Sequence, residues 1–180
     1  LGGAKETAQL AATIGREFDQ QLLQSASLRD RDDVERDLEC LVNEELIYRQ
    51  RRVAANRYIF RHALIRDVAY DSVLIQRRQQ FHRLLATALE TDFPDAVSES
   101  PSEVAYHYAH AGDYSTAVHY GTKAVEKTLE RSANEETVAT CNQVLRWNDG
   151  IENKQTRGQQ ALRLNNLMFP ALMAVKGFGA

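Results

Sequence analysis

Three observations predict a mainly α protein in two units: helix-period apolar spacing along most of the chain, one β-prone interruption near position 46, and a proline-marked linker after position 93. The expected units are residues 1–93, short helices with a small β-hairpin and trailing helices, and residues 102–180, antiparallel helical hairpins.

Lys5 to Ile14 sets Ala8, Ala11, Ala12 and Ile14 at helical spacing, and Gly15 follows as a stop, so this is the first helix. Phe18, Leu22 and Leu23 continue as a short second helix. The Ser27–Asp30 stretch supplies capping chemistry for a third, on which Val34, Leu38, Leu41 and Val42 share one face. After Glu45 the character changes. Leu46-Ile47-Tyr48 and Arg57-Tyr58-Ile59-Phe60 are β-prone and flank a polar turn, which predicts a hairpin. Three short helices followed by a hairpin predict a winged helix. A long helical stretch then carries Leu64, Ile65, Val68, Ala69, Val73 and Leu74, followed by Phe81, Leu84, Leu85, Ala88 and Leu89.

Pro94 and the Ser98–Ser102 stretch with Pro101 mark the linker. Beyond it the spacing predicts helices over Ser102–Ala111, Tyr114–Arg131, Asn134–Trp147 and Thr156–Val175. The short Gly112-Asp113 and Ser132-Ala133 connections fold such helices antiparallel. Ala105, Tyr108, Gly112, Asp113, Tyr114, Ala117, Tyr120 and Ala124 reproduce the small–large alternation of one tetratricopeptide (TPR) unit. The next unit does not recur at the period of about 34 residues, so the region is TPR-like rather than a regular array.

Composition excludes several classes. The formal charge of −3 and pI near 6.0 give no general attraction to a phosphate backbone, which makes DNA an unfavoured partner. Cys40 and Cys141 are far apart and show no zinc spacing, as expected of reduced thiols in a cytoplasmic protein. No apolar run approaches the roughly 20 residues that span a bilayer, so no membrane association is expected. The start at a leucine and the stop just after an apolar helix pattern are those expected of a piece of a longer chain.

The segments Ala8-Gln9-Leu10-Ala11-Ala12-Thr13-Ile14-Gly15-Arg16-Glu17-Phe18 and Tyr58-Ile59-Phe60-Arg61-His62-Ala63-Leu64-Ile65-Arg66-Asp67-Val68-Ala69-Tyr70 resemble one family. It is the signal-transduction ATPases with numerous domains (STAND ATPases), in particular bacterial proteins in which a class III adenylate or guanylate cyclase precedes the ATPase and a helical-repeat tail. Arg77-Arg78-Gln79-Gln80-Phe81-His82 and Ala171-Leu172-Met173-Ala174-Val175-Lys176-Gly177-Phe178 are similar to later markers of that family. The resemblance implies a switch in which a winged helix closes over nucleotide bound to an ATPase core and a repeat superhelix receives the signal. ATP or ADP and Mg would then belong to the parent's ATPase domain, with no cofactor in this segment. The implied partners are that ATPase domain and a protein or small effector on the helical repeats.

Candidate residues follow from these readings. The resemblance implies that His62, beside Arg61, contacts the phosphates of bound ADP. Arg61 and Ala63 stand where the family has methionine and aspartate. A histidine there can donate a charge-assisted hydrogen bond to phosphate, or simply cap a helix. Arg49, Arg51 and Arg52 on the wing are candidates for docking or phosphate contact. The would-be recognition helix opposes DNA, because it carries Asp30, Asp32, Asp33, Glu35, Asp37, Glu39, Glu44 and Glu45. A DNA-contacting transcription regulator is nevertheless the alternative reading. Arg77 and Arg78, with His82 and Arg83, form a basic face or a docking cluster. Tyr106, Tyr108, Tyr114 and Tyr120 fill helix gaps or offer a partner surface. His107, His110 and His119 lack carboxylate or thiolate companions for a metal site. Gly2-Gly3-Ala4-Lys5-Glu6-Thr7 lacks the spacing of a phosphate-cradling loop, and no catalytic constellation is present, so the segment is expected to be non-catalytic.

Overall fold

The computed structural model describes residues 2–52 and 55–177, with the side chains of 51, 52 and 55 outside that description. The chain divides into two compact units at Phe93/Pro94.

The first unit runs α1 (Gly2–Ile14), β1 (Glu17–Asp19), α2 (Gln20–Ala26), α3 (Arg31–Asn43), β2 (Ile47–Arg52), β3 (Ala55–Phe60), α4 (Ala63–Asp71) and α5 (Ile75–Asp92). The strands form an antiparallel sheet in the order β1-β3-β2, with Phe18 opposite Tyr58 and Ile47 opposite Phe60. The expected second helix is corrected here. Phe18 belongs to a strand, because its ring stacks on Tyr58 at 5.7 Å and meets Phe60 at 5.6 Å. The helix begins after Asp19, whose carboxylate accepts from Gln21 N (2.7 Å) and Leu22 N (3.4 Å) and satisfies two otherwise orphaned donors.

Burial of Val34, Leu38 and Leu41 fixes one face of α3 against α1, alongside Leu10, Ala11, Leu23, Phe60 and Leu85. At one per cent exposure or less for most of them, these side chains supply the main driving force for the unit, about 1.5–3 kcal/mol each for the larger ones. The single long stretch expected over 64–89 is interrupted at Ser72–Leu74. Ser72 N donates to Val68 O and Val73 N to Tyr70 O, which ends α4, and Val73 turns inward. A second difference is larger: Leu64, Val68 and Leu74, expected as the inner face, are 71%, 63% and 81% exposed.

The second unit runs α6 (Pro94–Glu99), α7 (Pro101–His110), α8 (Tyr114–Glu130), α9 (Asn134–Asn148) and α10 (Lys154–Lys176). The expected linker therefore holds the short helix α6. Successive helices α7 to α10 pack on one another. Asp113 and Asn153 cap α8 and α10 by accepting from Thr116 N (3.1 Å) and Thr156 N (3.0 Å). Gly112 takes φ 82° at the α7–α8 corner, whereas at the α8–α9 corner Ser132 takes φ 57°. Val118, Val125, Cys141, Val144, Ile151 and Leu164 form the core, with Leu145, Trp147, Leu167 and Met168 packed against it. The chain is thus mainly helical with one small sheet, and among the described residues no helix is long and apolar enough to cross a membrane.

Candidate functional site

The expected phosphate-sensing histidine, His62, is the exposed N-cap of α4, placed there by the end of β3. Its extended backbone (φ −132°, ψ 143°) leaves its carbonyl to accept from Ile65 N at 3.0 Å. The imidazole makes no capping hydrogen bond, so the helix-cap role considered for it is not realised. Arg61 is exposed and ion-paired with Glu45, a residue held at φ 56° where α3 gives way to β2.

Along the helix that His62 opens, several large apolar side chains are exposed. Leu64 and Val68 lie one helical turn apart, and Leu74 and Ile75 follow at the α4–α5 junction, with Ile75 75% exposed. A shallow depression of about 530 Å³ is lined by Leu74, Ile75, Gln76, Arg77 and Gln80. The opposite side of α4 is anchored instead. Arg66 Nε donates to Ala12 O at 2.9 Å, and Tyr70 Oη meets His82 Nε2 at 3.0 Å. The guanidinium groups of Arg66 and Arg78 lie 4.9 and 4.2 Å from the centre of the Tyr70 ring. The exposed residues therefore lie away from the side of α4 that Arg66 and Tyr70 tie to α1 and α5.

Several expected assignments change. His82 was expected on an exposed basic face and is completely buried. Arg77 pairs with Glu6 and lies over Phe81, 4.8 Å from the ring centre, and Arg78 donates to Val73 O at 3.1 Å. These two arginines hold α5 to α1 and to the α4–α5 turn. Arg49 is exposed, donates to Asn56 Oδ1 at 2.7 Å and approaches the Tyr58 ring at 6.0 Å. Burial raises the Tyr58 hydroxyl pKa, partly offset by Arg49. The side chains of Arg51 and Arg52 lie outside the described residues. Within α3, five carboxylates stand against two arginines.

The four tyrosines do not form one surface. Tyr108, expected to fill a helix gap or to face a partner, does the former: it is buried and stacks on half-buried Tyr120, with centroids 6.1 Å apart and an interplanar angle of 6°. Tyr106 is 40% exposed and lies against His110 at 3.9 Å, and Tyr114 covers Gly150. His107 is buried, which lowers its pKa to about 4, with the neighbouring His110 adding to the effect. No three potential metal ligands cluster among the described residues. The Gly2–Thr7 segment lies within α1 and forms no loop. Sequence reasoning also missed a groove of about 280 Å³ in the second unit, floored by Gly121 and Ala124 and walled by Val144 and Trp147. Its signal was the pair of small residues at helical spacing on α8.

Over 135 residues the chain is 32% identical to an uncharacterized protein of Rhizobium meliloti (strain 1021), a match that takes in 74% of this chain and 13% of that protein. The matched stretch thus spans about an eighth of this relative's length. No family model and no solved structure matches the chain.

Proposed function

We propose that this chain is a non-catalytic regulatory and protein-interaction segment of a larger signal-transduction ATPase of the STAND kind, one that also carries a nucleotide cyclase. In this reading residues 1–93 are a winged helix that docks on the ATPase core and senses its nucleotide. Residues 102–180 begin a TPR-like superhelix that receives a protein or small effector.

The observation that carries the reading is the exposure of four large apolar side chains, Leu64, Val68, Leu74 and Ile75, along α4 and the α4–α5 junction, on a helix that His62 opens. Isolated exposed apolar side chains are ordinary, but four within twelve residues of a small folded unit mark an interaction surface. The element order α1-β1-α2-α3-β2-β3, with β3 central, supports the winged helix. That the match takes in only 13% of the Rhizobium relative supports a multidomain parent. A docked His62 would donate to a phosphate oxygen from a site that excludes water, which strengthens the bond.

Replacing His62 with alanine in the complete polypeptide tests this reading. A charge-assisted hydrogen bond contributes about 1.5–3 kcal/mol, so ADP is expected to bind roughly 10-fold to 150-fold more weakly. Unchanged ADP retention and unchanged basal output would rule out the nucleotide role. The DNA-binding alternative predicts affinity for random duplex that falls steeply with salt. The carboxylates of α3 and the engagement of Arg49 with Asn56 argue that none is found even at low salt.

A further inference from the structure

The helix α4 is held in the first unit differently from the helices around it. None of its nine residues is buried, whereas α3 buries Val34, Leu38 and Leu41, and α5 buries Phe81, Leu85 and Leu89. Leu64 and Val68 are exposed, so apolar burial contributes little to keeping α4 in place. The contacts that hold it are polar. Arg66 Nε donates to Ala12 O of α1, Tyr70 Oη meets Nε2 of the buried His82 on α5, and Ser72 Oγ accepts from Gln9 Nε2 at 2.8 Å. The guanidinium groups of Arg66 and Arg78 approach the Tyr70 ring. Each bond of this kind is a modest net gain over the same groups bonded to water.

The flanks of α4 are pinned separately. Before it, Arg61 N donates to Leu46 O at 3.0 Å and the Arg61 side chain pairs with Glu45. After it, Val73 is buried and its carbonyl accepts from Arg78 Nη2 at 3.1 Å. Between these two points run only His62, α4 and Ser72. Lifting them leaves the sheet, the packing of α1 on α3 and that of α2 on α5 as they are. A helix of nine residues is too short to persist alone in water, so a lifted α4 also gives up its own hydrogen bonds. Segments with few buried apolar contacts are those that open below the energy of global unfolding.

We infer that α4 is a releasable strap, a switch element that lifts from α1 and α5 as one piece while the rest of the first unit stays folded. The open form uncovers His82 and Ala12, both completely buried in the closed form. Linkage gives this a regulatory consequence. A body that binds the closed outer face lowers the open population, and one that binds the uncovered side of His82 raises it. The strap is a property of this chain alone and does not rest on the proposed docking to an ATPase core.

Native-state hydrogen exchange of the 180-residue chain, followed residue by residue by NMR, tests it. Relative to their unstructured rates, the amides of Arg66 to Asp71 are expected to exchange at least about tenfold faster than the slowest amides of α3 and α5, with a shallower dependence on urea. Val34→Ala, in the core on α3, is expected to speed the slowest α3 amides about tenfold and to leave α4 unchanged, because the closed and open forms share that core. Tyr70→Phe keeps the ring but removes the bond to His82, and is expected to speed α4 exchange about 2-fold to 10-fold. The first comparison needs no variant, so it decides the matter even where Val34→Ala does not fold. Exchange of α4 as slow and as urea-dependent as that of α3, an equal response of α3 and α4 to Val34→Ala, or α4 exchange untouched by Tyr70→Phe would overturn the inference.

Discussion

Gly121 of α8 lies directly against Val144 of α9: a Cβ on Gly121 would lie 2.5 Å from Val144 Cγ2 and 3.1 Å from its Cγ1. Val144 is 1% exposed and β-branched, so it has no alternative rotamer to retreat into. Gly121→Ala gains up to about 1 kcal/mol of helix propensity but overpacks a stiff neighbour, a cost of about 1–3 kcal/mol. The expected net result is a loss of up to about 2 kcal/mol in urea unfolding. Gly158→Ala, where the new methyl meets nothing, is expected to gain about 0.5–1 kcal/mol in dilute solution. Equal signs for the two variants would contradict the packing described for α8.

The two thiols are expected to differ in reactivity. Cys141 is fully buried, its Sγ lies 3.8 Å from Leu164 O, and burial raises its pKa to about 11. Cys40 is only half-buried. Maleimide at neutral pH is expected to label one thiol per native chain and two per unfolded chain, with Cys40→Ser abolishing the native label.

Acid is expected to destabilise the second unit through His107. Folded, this histidine titrates near 4, whereas unfolded it titrates near its ordinary 6.5. Between those values the unfolded chain binds a proton that the folded chain does not, so stability falls as pH falls from about 6.5 to about 4. The full contribution is about 3 kcal/mol at 1.36 kcal/mol per unit. Urea midpoints measured across that window are expected to flatten in His107→Gln. An unchanged slope in that variant would remove His107 as the cause.

The helical layout was legible because helix-period spacing reports burial directly. Val34, Leu38 and Leu41, and the corners at Gly112 and Ser132, fall where the pattern puts them. The strand at Phe18 was not legible, because three residues are too short to show alternation and their partner, Tyr58, lies some forty residues away. The exposed surface of α4 was missed for the opposite reason. Leu64 and Val68 have the spacing of a buried face, and spacing alone does not say which body covers it. His82 was misplaced for lack of tertiary information, because the burial of this polar aromatic depends on a ring across the helix interface, that of Tyr70.

The central claim is that the α4 surface docks on a nucleotide-holding body. Leu64→Asp combined with Val68→Asp leaves the first unit folded, because both side chains are exposed and the inner anchors through Arg66 and Tyr70 are untouched. The most direct test is the amount of ADP that the complete polypeptide carrying both changes retains through gel filtration. The account predicts a loss of at least fivefold relative to the unchanged protein, given about 1.5–3 kcal/mol for each large apolar side chain removed from an interface. Full retention by the double variant, with circular dichroism unchanged, would contradict it.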